Sequence, residues 1–241
     1  MTRGILIAGN ESSLFSAVAA EAVKRVESFV SVAIPNRLPM PEGGSVLPSR
    51  AEIEGAVSLP WNPASSISAR TLILAAENRL EKINDAIVIC SPPAVFKTVE
   101  ALAPEEIEIL VNEHIKGWFF LVRELALYFR RTGTGSLSLV APELTPGGGD
   151  KEISGNARGK NAWNKNSQAD LLGPSAAASF RAFAQGILTS STNEPFQAMG
   201  FSAEEAGTEE EFAAWLFKRI DEGAGKNSGR WHRYSKLKLF R

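Results

Sequence analysis

The chain has 241 residues, 44% hydrophobic and 22% charged, so it is long enough to bury a substantial core. Its 26 basic and 27 acidic residues leave a formal net charge of -1, which gives no bulk attraction to nucleic acid or anionic lipid. The single cysteine, Cys90, excludes an intramolecular disulfide, and no apolar run approaches the roughly 20 residues that cross a bilayer. Because no basic leader precedes an apolar run, we expect a cytoplasmic protein without membrane or nucleic-acid partners.

Apolar runs alternate with helical periods along the first half of the chain. The run from Gly4 to Gly9 is short, branched and closed by glycine, which is typical of a buried parallel strand. A helix with a face of small apolar residues follows, from about Leu14 to Val23. Further strands are predicted at 29–34, 56–59 and 86–90, with a helix at about 64–80.

The second half repeats this alternation. Pro104 begins a long helix that should run to about Arg131, and acidic residues in its first turn suit the helix dipole. The remaining predicted elements are a strand at 137–141, a helix at 176–188, a strand at 196–201, a helix at 203–220 and a short edge strand within 230–240. The alternation predicts an α/β fold with a doubly wound, Rossmann-like parallel sheet, in which residues 1–241 form a single domain.

Three stretches of the chain carry motifs at the ends of the predicted elements: Asp85 opens strand four, His114-Ile115-Lys116-Gly117 lies in the next helix, and Gly135-Ser136 starts strand five. They resemble the short-chain dehydrogenases/reductases, which have an Asp, an Asn-x-x-Gly and a Gly-Ser at these three places. Ser228-Gly229-Arg230 falls where the family's last strand begins, so the resemblance spans nearly the whole chain. It implies the Rossmann-like fold of an NAD(P)-dependent oxidoreductase.

The turn that would hold the dinucleotide departs from the family pattern. Family members hold the cofactor pyrophosphate on Thr-Gly-x-x-x-Gly-x-Gly, and only Gly9 of that pattern is present here. Ser13 and Phe15 replace two glycines, and Glu11 adds a negative charge where the diphosphate would lie. The stretch is therefore interpreted as a helix cap through Ser12 or Ser13, with Phe15 free to enter the core.

Some polar residues nevertheless remain at the positions of a cofactor site. Arg37, after strand two, could meet a 2′-phosphate, although a lone surface arginine is the simpler interpretation. Ser91 stands where the family has Asn-Ala-Gly, and two prolines after it remove backbone donors. The vestigial cofactor site would consist of Gly9, Asn10, Ser12, Ser13, Arg37 and Ser91. We expect that these residues bind no cofactor. If the site still functions, the cofactor would be NAD or NADP.

The family's catalytic residues do not transfer either. The serine expected after strand five falls at Pro142, or at best at Ser138, and Tyr-x-x-x-Lys falls at 175–179, where Ser175 and Ser179 stand. In that family the lysine lowers the pKa of the tyrosine, whose phenol exchanges a proton with the carbonyl oxygen during hydride transfer. Serine is too weak an acid for this step, so we expect no catalytic residue of the standard kind.

His114 replaces the asparagine of the helix after strand four. We predict that it is buried and makes a structural hydrogen bond, with a role as a replacement acid as the alternative. Other chemistries find little support, because the two histidines and one cysteine show no zinc-binding spacing, and neither a Gly-x-Ser-x-Gly elbow nor a Gly-Lys-Ser phosphate loop is present.

A polar, glycine- and asparagine-rich segment runs from about 143 to 173. Since it lacks an apolar period, we predict a flexible insertion near the mouth of the pocket, acting as a lid or remaining disordered.

The long helix at 104–131 carries more apolar residues than one face needs. With the helix at 174–190, it is predicted to form the interface of a homodimer or homotetramer, and the resembled family uses these two helices for a four-helix dimer seam.

The sequence therefore predicts a short-chain-dehydrogenase-like protein that has lost oxidoreductase activity. It would act as a non-catalytic subunit or as a binding module for an unknown small molecule. The alternative is a divergent NAD(P)-dependent oxidoreductase with non-standard active-site residues.

Overall fold

A computed structural model describes residues 3–26, 29–34, 55–92, 95, 97–142, 172–203, 208–222 and 228–234. The predicted α/β class is confirmed, because the strands form one seven-stranded sheet in the order β3-β2-β1-β4-β5-β6-β7 with every pair parallel. The strands are β1 Ile5–Asn10, β2 Phe29–Ile34, β3 Ala56–Ser58, β4 Asp85–Ile89, β5 Ser136–Val140, β6 Gln197–Ala203 and β7 Arg230–Tyr234. The tail does supply the predicted edge strand, β7.

Helices cover both faces of the sheet, as right-handed crossovers between parallel strands require. They are α1 Ser13–Val23, α2 Ser66–Leu80, α3 Pro104–Ile109, α4 Gly117–Thr132, α5 Gly173–Ser190 and α6 Glu209–Asp221. Alternate residues of β1 enter different cores: Leu6 and Ala8 pack in the core with α2, α4 and α5, and Ile5 and Ile7 pack in the core with α1 and α6. Within the described ranges, no helix is long and apolar enough to span a bilayer.

The long helix predicted at 104–131 is interrupted. Helical structure does run from Pro104 to Thr132, but a π-helical turn, Leu110–Lys116, which the sequence did not predict, divides it into α3 and α4. A π-helical turn adds a residue to an otherwise helical pattern, and apolar periodicity over a short window does not reveal it. The turn contains His114, whose ring is fully buried.

Two other predicted helix boundaries move. The helix predicted from 203 begins at Glu209, because β6 continues to Ala203 and Thr208 forms a reciprocal cap with Glu211. The helix predicted from 176 begins at Gly173, which belonged to the predicted insertion at 143–173. Residues 143–171 of that insertion lie outside the described residues.

Candidate functional site

The carboxyl ends of β1 and β4 form the edge at which ligands bind in open parallel sheets. The turn after β1 caps α1, as the sequence predicted, and Ser12 is the capping residue. Its Oγ accepts a hydrogen bond from the backbone N–H of Phe15 at 3.1 Å. This bond satisfies one of the donors at the start of the helix.

Phe15 occupies the space beside Gly9. A Cβ added at Gly9 would lie 2.6 Å from Cδ2 of Phe15 and 3.1 Å from Cβ of Ile89. Phe15 is buried in the core shared with α1 and α6, as the sequence allowed. In this chain, the missing side chain at Gly9 therefore makes room for a phenylalanine ring.

A carboxylate already lies at the N-terminus of α1. The Oγ of Ser13 donates a hydrogen bond to Oε1 of Glu209, at the start of α6, at 2.7 Å. The positive end of a helix dipole favours one negative charge, and a second anion placed beside it meets repulsion. Glu11 adds another exposed carboxylate in the same turn. The sequence showed Glu11 but not Glu209, which is 196 residues from Ser13.

The side chain of Asn10, at the end of β1, contacts both the loop after β4 and the π-helical turn. Its Oδ1 accepts the backbone N–H of Ser91 at 2.9 Å, and its Nδ2 lies 2.8 Å from Nδ1 of His114. Because the amide oxygen is used by Ser91, Nδ2 is the atom that donates to His114, and Nδ1 of the ring accepts. The neutral ring of His114 then carries its proton on Nε2.

His114 confirms the prediction of a buried histidine with a structural hydrogen bond. Its side chain is 0% exposed, and burial lowers its pKa from the usual 6.5 to about 4, because the charged form is costly away from water. Its Nε2 has no hydrogen-bond partner in the described part of the chain. Asn10 and Ser91 were predicted as remnants of a cofactor site, and the structure brings both together with His114.

The other predicted cofactor residues are more scattered. Ser12 and Ser13 lie at the start of α1, where one caps the helix and the other binds Glu209. Arg37 lies outside the described residues. Cys90, at the end of β4, is fully buried, which raises the pKa of its thiol and makes it a poor nucleophile.

The serines at the family's catalytic positions are poorly placed for catalysis. Ser138 lies in the middle of β5, paired with Ile87, and its side chain shares the sheet face of Val140, which packs in the α1 and α6 core. Ser175 is exposed and Ser179 half-buried on α5, with three alanines between them. Among the described residues, no group of three or more His, Cys, Asp or Glu side chains could hold a metal ion.

Both phenols of the chain lie away from the β1–β4 edge. The Oη of Tyr128 accepts the backbone N–H of Ile83 at 2.9 Å, and Ile83 precedes β4 at the opposite, amino edge of the sheet. Tyr234 ends the edge strand β7, with its ring 5.3 Å from that of Trp215 and 6.0 Å from that of Phe212.

The fold is that of the short-chain dehydrogenases/reductases, which confirms the predicted resemblance at the level of structure. A short-chain dehydrogenase from Bacillus anthracis superposes with a TM-score of 0.69 and 13% identity, covering 97% of this chain and 95% of its own. An NADH-dependent reductase, A1-R', complexed with NAD superposes with a TM-score of 0.67 and 13% identity, covering 97% of this chain and 95% of its own.

A metagenomic short-chain oxidoreductase in complex with NADP is similar to the same degree. Its TM-score is 0.68 and its identity 10%, with 97% of both chains covered. No protein-family model matches the sequence, and no curated protein matches it. At identities of 10–13%, these similarities show that the fold is shared and do not show a shared activity.

Proposed function

We propose that this protein keeps the short-chain dehydrogenase fold without its hydride-transfer chemistry and acts as a non-catalytic subunit or binding module. The observation that carries the proposal is the placement of the two phenols. Tyr128 is bound to the backbone at the amino edge, and Tyr234 is packed among aromatic rings at the sheet's far edge. Neither phenol can exchange a proton with a carbonyl group held at the β1–β4 edge.

The turn after β1 supports the same proposal. Glu209 holds the N-terminus of α1 through Ser13, and Phe15 fills the space next to Gly9. A diphosphate placed there would meet a carboxylate where the family offers backbone N–H groups. The residues present do not fit a bound dinucleotide.

We expect that NADH and NADPH do not bind saturably at micromolar concentrations, because of this carboxylate and the filled turn. The quenching of the protein's five tryptophans during titration is the measurement. Glu209→Gln, which removes the charge, should raise the affinity for either nucleotide, and Glu210→Gln, an exposed neighbour in the same helical turn, should not. Saturation of the unmodified protein in the micromolar range would overturn the proposal.

A divergent NAD(P)-dependent oxidoreductase is the second candidate. It is favoured by the NAD and NADP present in two of the similar structures, and by the Nε2–H of His114, a donor with no partner in the described ranges. In that case His114 would replace the missing acid. Micromolar nucleotide binding, with loss of turnover in His114→Gln, would support this candidate.

We also propose that the protein forms a homodimer or homotetramer through α4 and α5. The eight apolar residues of α4 that predict this interface are Trp118, Phe119, Phe120, Val122, Leu125, Leu127, Tyr128 and Phe129. Five of them are buried in the core, all except Phe119, Phe120 and Leu127. Phe119 and Phe120 remain half-buried and Leu127 remains exposed. Phe119 stacks on the half-buried Phe183 of α5, with ring centroids 4.1 Å apart, so the two helices share one apolar outer surface.

Phe120→Glu or Phe183→Glu should therefore convert the oligomer into monomers, because each places a charge in the apolar seam. Light scattering at tens of micromolar gives the mass. Ile67→Glu, at an apolar residue of α2 that is 76% exposed, is the matched control and should leave the mass unchanged. A monomeric mass for the unmodified protein would contradict the proposal.

A further inference from the structure

A groove runs between the outer faces of α2 and α4, away from the β1–β4 edge. It encloses a volume of about 320 Å³, which lies at the lower end of the range for small-molecule sites. Its floor consists of Ile73 and Tyr128, each 4% exposed. Because the hydroxyl of Tyr128 is occupied by the backbone of Ile83, this residue presents its ring to the groove.

Two leucines form the apolar part of the walls. Leu74 of α2 is 43% exposed and Leu127 of α4 is 42% exposed, and both line the groove. Small-molecule sites are concave and are lined mainly by apolar side chains, with a few polar groups that fix the orientation of the ligand. A small apolar group in the groove would therefore contact Leu74 on one side and Leu127 on the other.

Three arginines, opposed by one glutamate, surround the apolar part. Arg131 is fixed by an ion pair with Glu77 at 2.7 Å and by its position 5.4 Å from the ring centre of Tyr128. Arg123 pairs with Glu124. Arg70 has no ion pair or hydrogen bond within the described ranges, so its guanidinium is available to a ligand.

We propose that this groove binds an amphipathic organic anion, a carboxylate on a compact apolar body. The guanidinium of Arg70 would receive the carboxylate in the two-pronged geometry that arginine favours, with Arg123 as the second cation. The apolar body would lie between Leu74 and Leu127 over the ring of Tyr128. A compact polyanion gains nothing from the leucines and is repelled by Glu124.

The proposed site shares no residue with the β1–β4 edge. The groove borders the proposed oligomer surface at Leu127, whose exposed side chain contributes to both, whereas Phe119 stacks on Phe183 of α5 and does not line the groove. The groove can therefore be tested without reference to nucleotide binding.

Octanoate and 1-octanol form a matched pair of probes, since they differ in charge and share an apolar chain. Titration followed by saturation-transfer NMR should show saturable binding of octanoate and no saturable binding of 1-octanol over the same concentrations. Arg70→Glu should weaken octanoate binding about tenfold or more, because a charge-assisted hydrogen bond is lost and the charge is reversed. Leu127→Gln should weaken it by a smaller factor.

Arg79→Glu is the control, because Arg79 is exposed on the same helix and does not line the groove. It should bind octanoate as the unmodified protein does. All of these side chains are exposed, so the variants should fold, and a thermal melt checks this. Three results would each overturn the proposal: no saturation by octanoate, equal binding of 1-octanol, or equal effects of Arg70→Glu and Arg79→Glu.

Discussion

Replacing His114 by glutamine should remove much of the protein's sensitivity to mild acid. The pKa of His114 falls from 6.5 to about 4 on folding, so between these values the unfolded chain binds a proton that the folded chain does not. The stability tied to the neutral ring is fully present above pH 6.5 and is lost as the pH falls towards 4. Each pH unit in this range corresponds to about 1.36 kcal/mol, so the free energy of unfolding should fall by about 2.5 kcal/mol at pH 4.5.

The measurement is the free energy of unfolding in urea at pH 7.5 and pH 4.5, for the unmodified protein and for His114→Gln. The pKa values of other groups, such as the carboxylates of Glu21 and Glu194, are lowered by their basic partners, so their protonation also destabilises the folded protein as the pH falls. This effect is common to both proteins and cancels in the difference. His232→Gln, which removes the other histidine, should keep the full dependence due to His114. An unchanged acid sensitivity in His114→Gln would show that the ring does not titrate with folding.

Asn10→Asp tests the hydrogen-bond direction in the same site. An aspartate has no N–H to donate to Nδ1, so the ring must carry a proton there to keep the contact. The carboxylate then favours the charged imidazolium, and the pKa of His114 measured by NMR should rise above about 4.

Gly135→Ala should be among the most destabilising single substitutions, costing about 3 kcal/mol or more. Gly135 has φ of +145°, a conformation that residues with a side chain rarely adopt. An added Cβ would lie 2.1 Å from Cδ1 of Phe129, whose ring is fully buried and cannot move aside. The backbone strain and the overlap act together.

Gly133→Ala separates these two effects. Gly133 has φ of +71° as the C-terminal cap of α4, but no atom lies within 4 Å of an added Cβ. We expect only the cost of a left-handed alanine, about 1 kcal/mol. Thermal and urea unfolding of both variants give the comparison, and equal losses would mean that Phe129 does not constrain position 135.

The sequence determined the sheet and most of its helices. The short branched runs at 4–9 and 86–90 predict buried parallel strands because period and composition are local properties of the chain, and the observed strands, Ile5–Asn10 and Asp85–Ile89, differ by one residue. The cap through Ser12 and the edge strand at 230–234 follow from equally local signals. The departure from the reductase pattern at Glu11, Ser13 and Phe15 is likewise visible without coordinates.

The tertiary structure decided what these residues contact. Asn10 and His114 are 104 residues apart, and Ser13 and Glu209 are 196 apart, so no local pattern joins either pair. The π-helical turn that contains His114 packs against α5, which lies far along the chain, and the groove beside Arg70 exists only where α2 meets α4. Such sites arise from long-range packing, because loop closure and core burial, rather than neighbouring residues, bring their parts together.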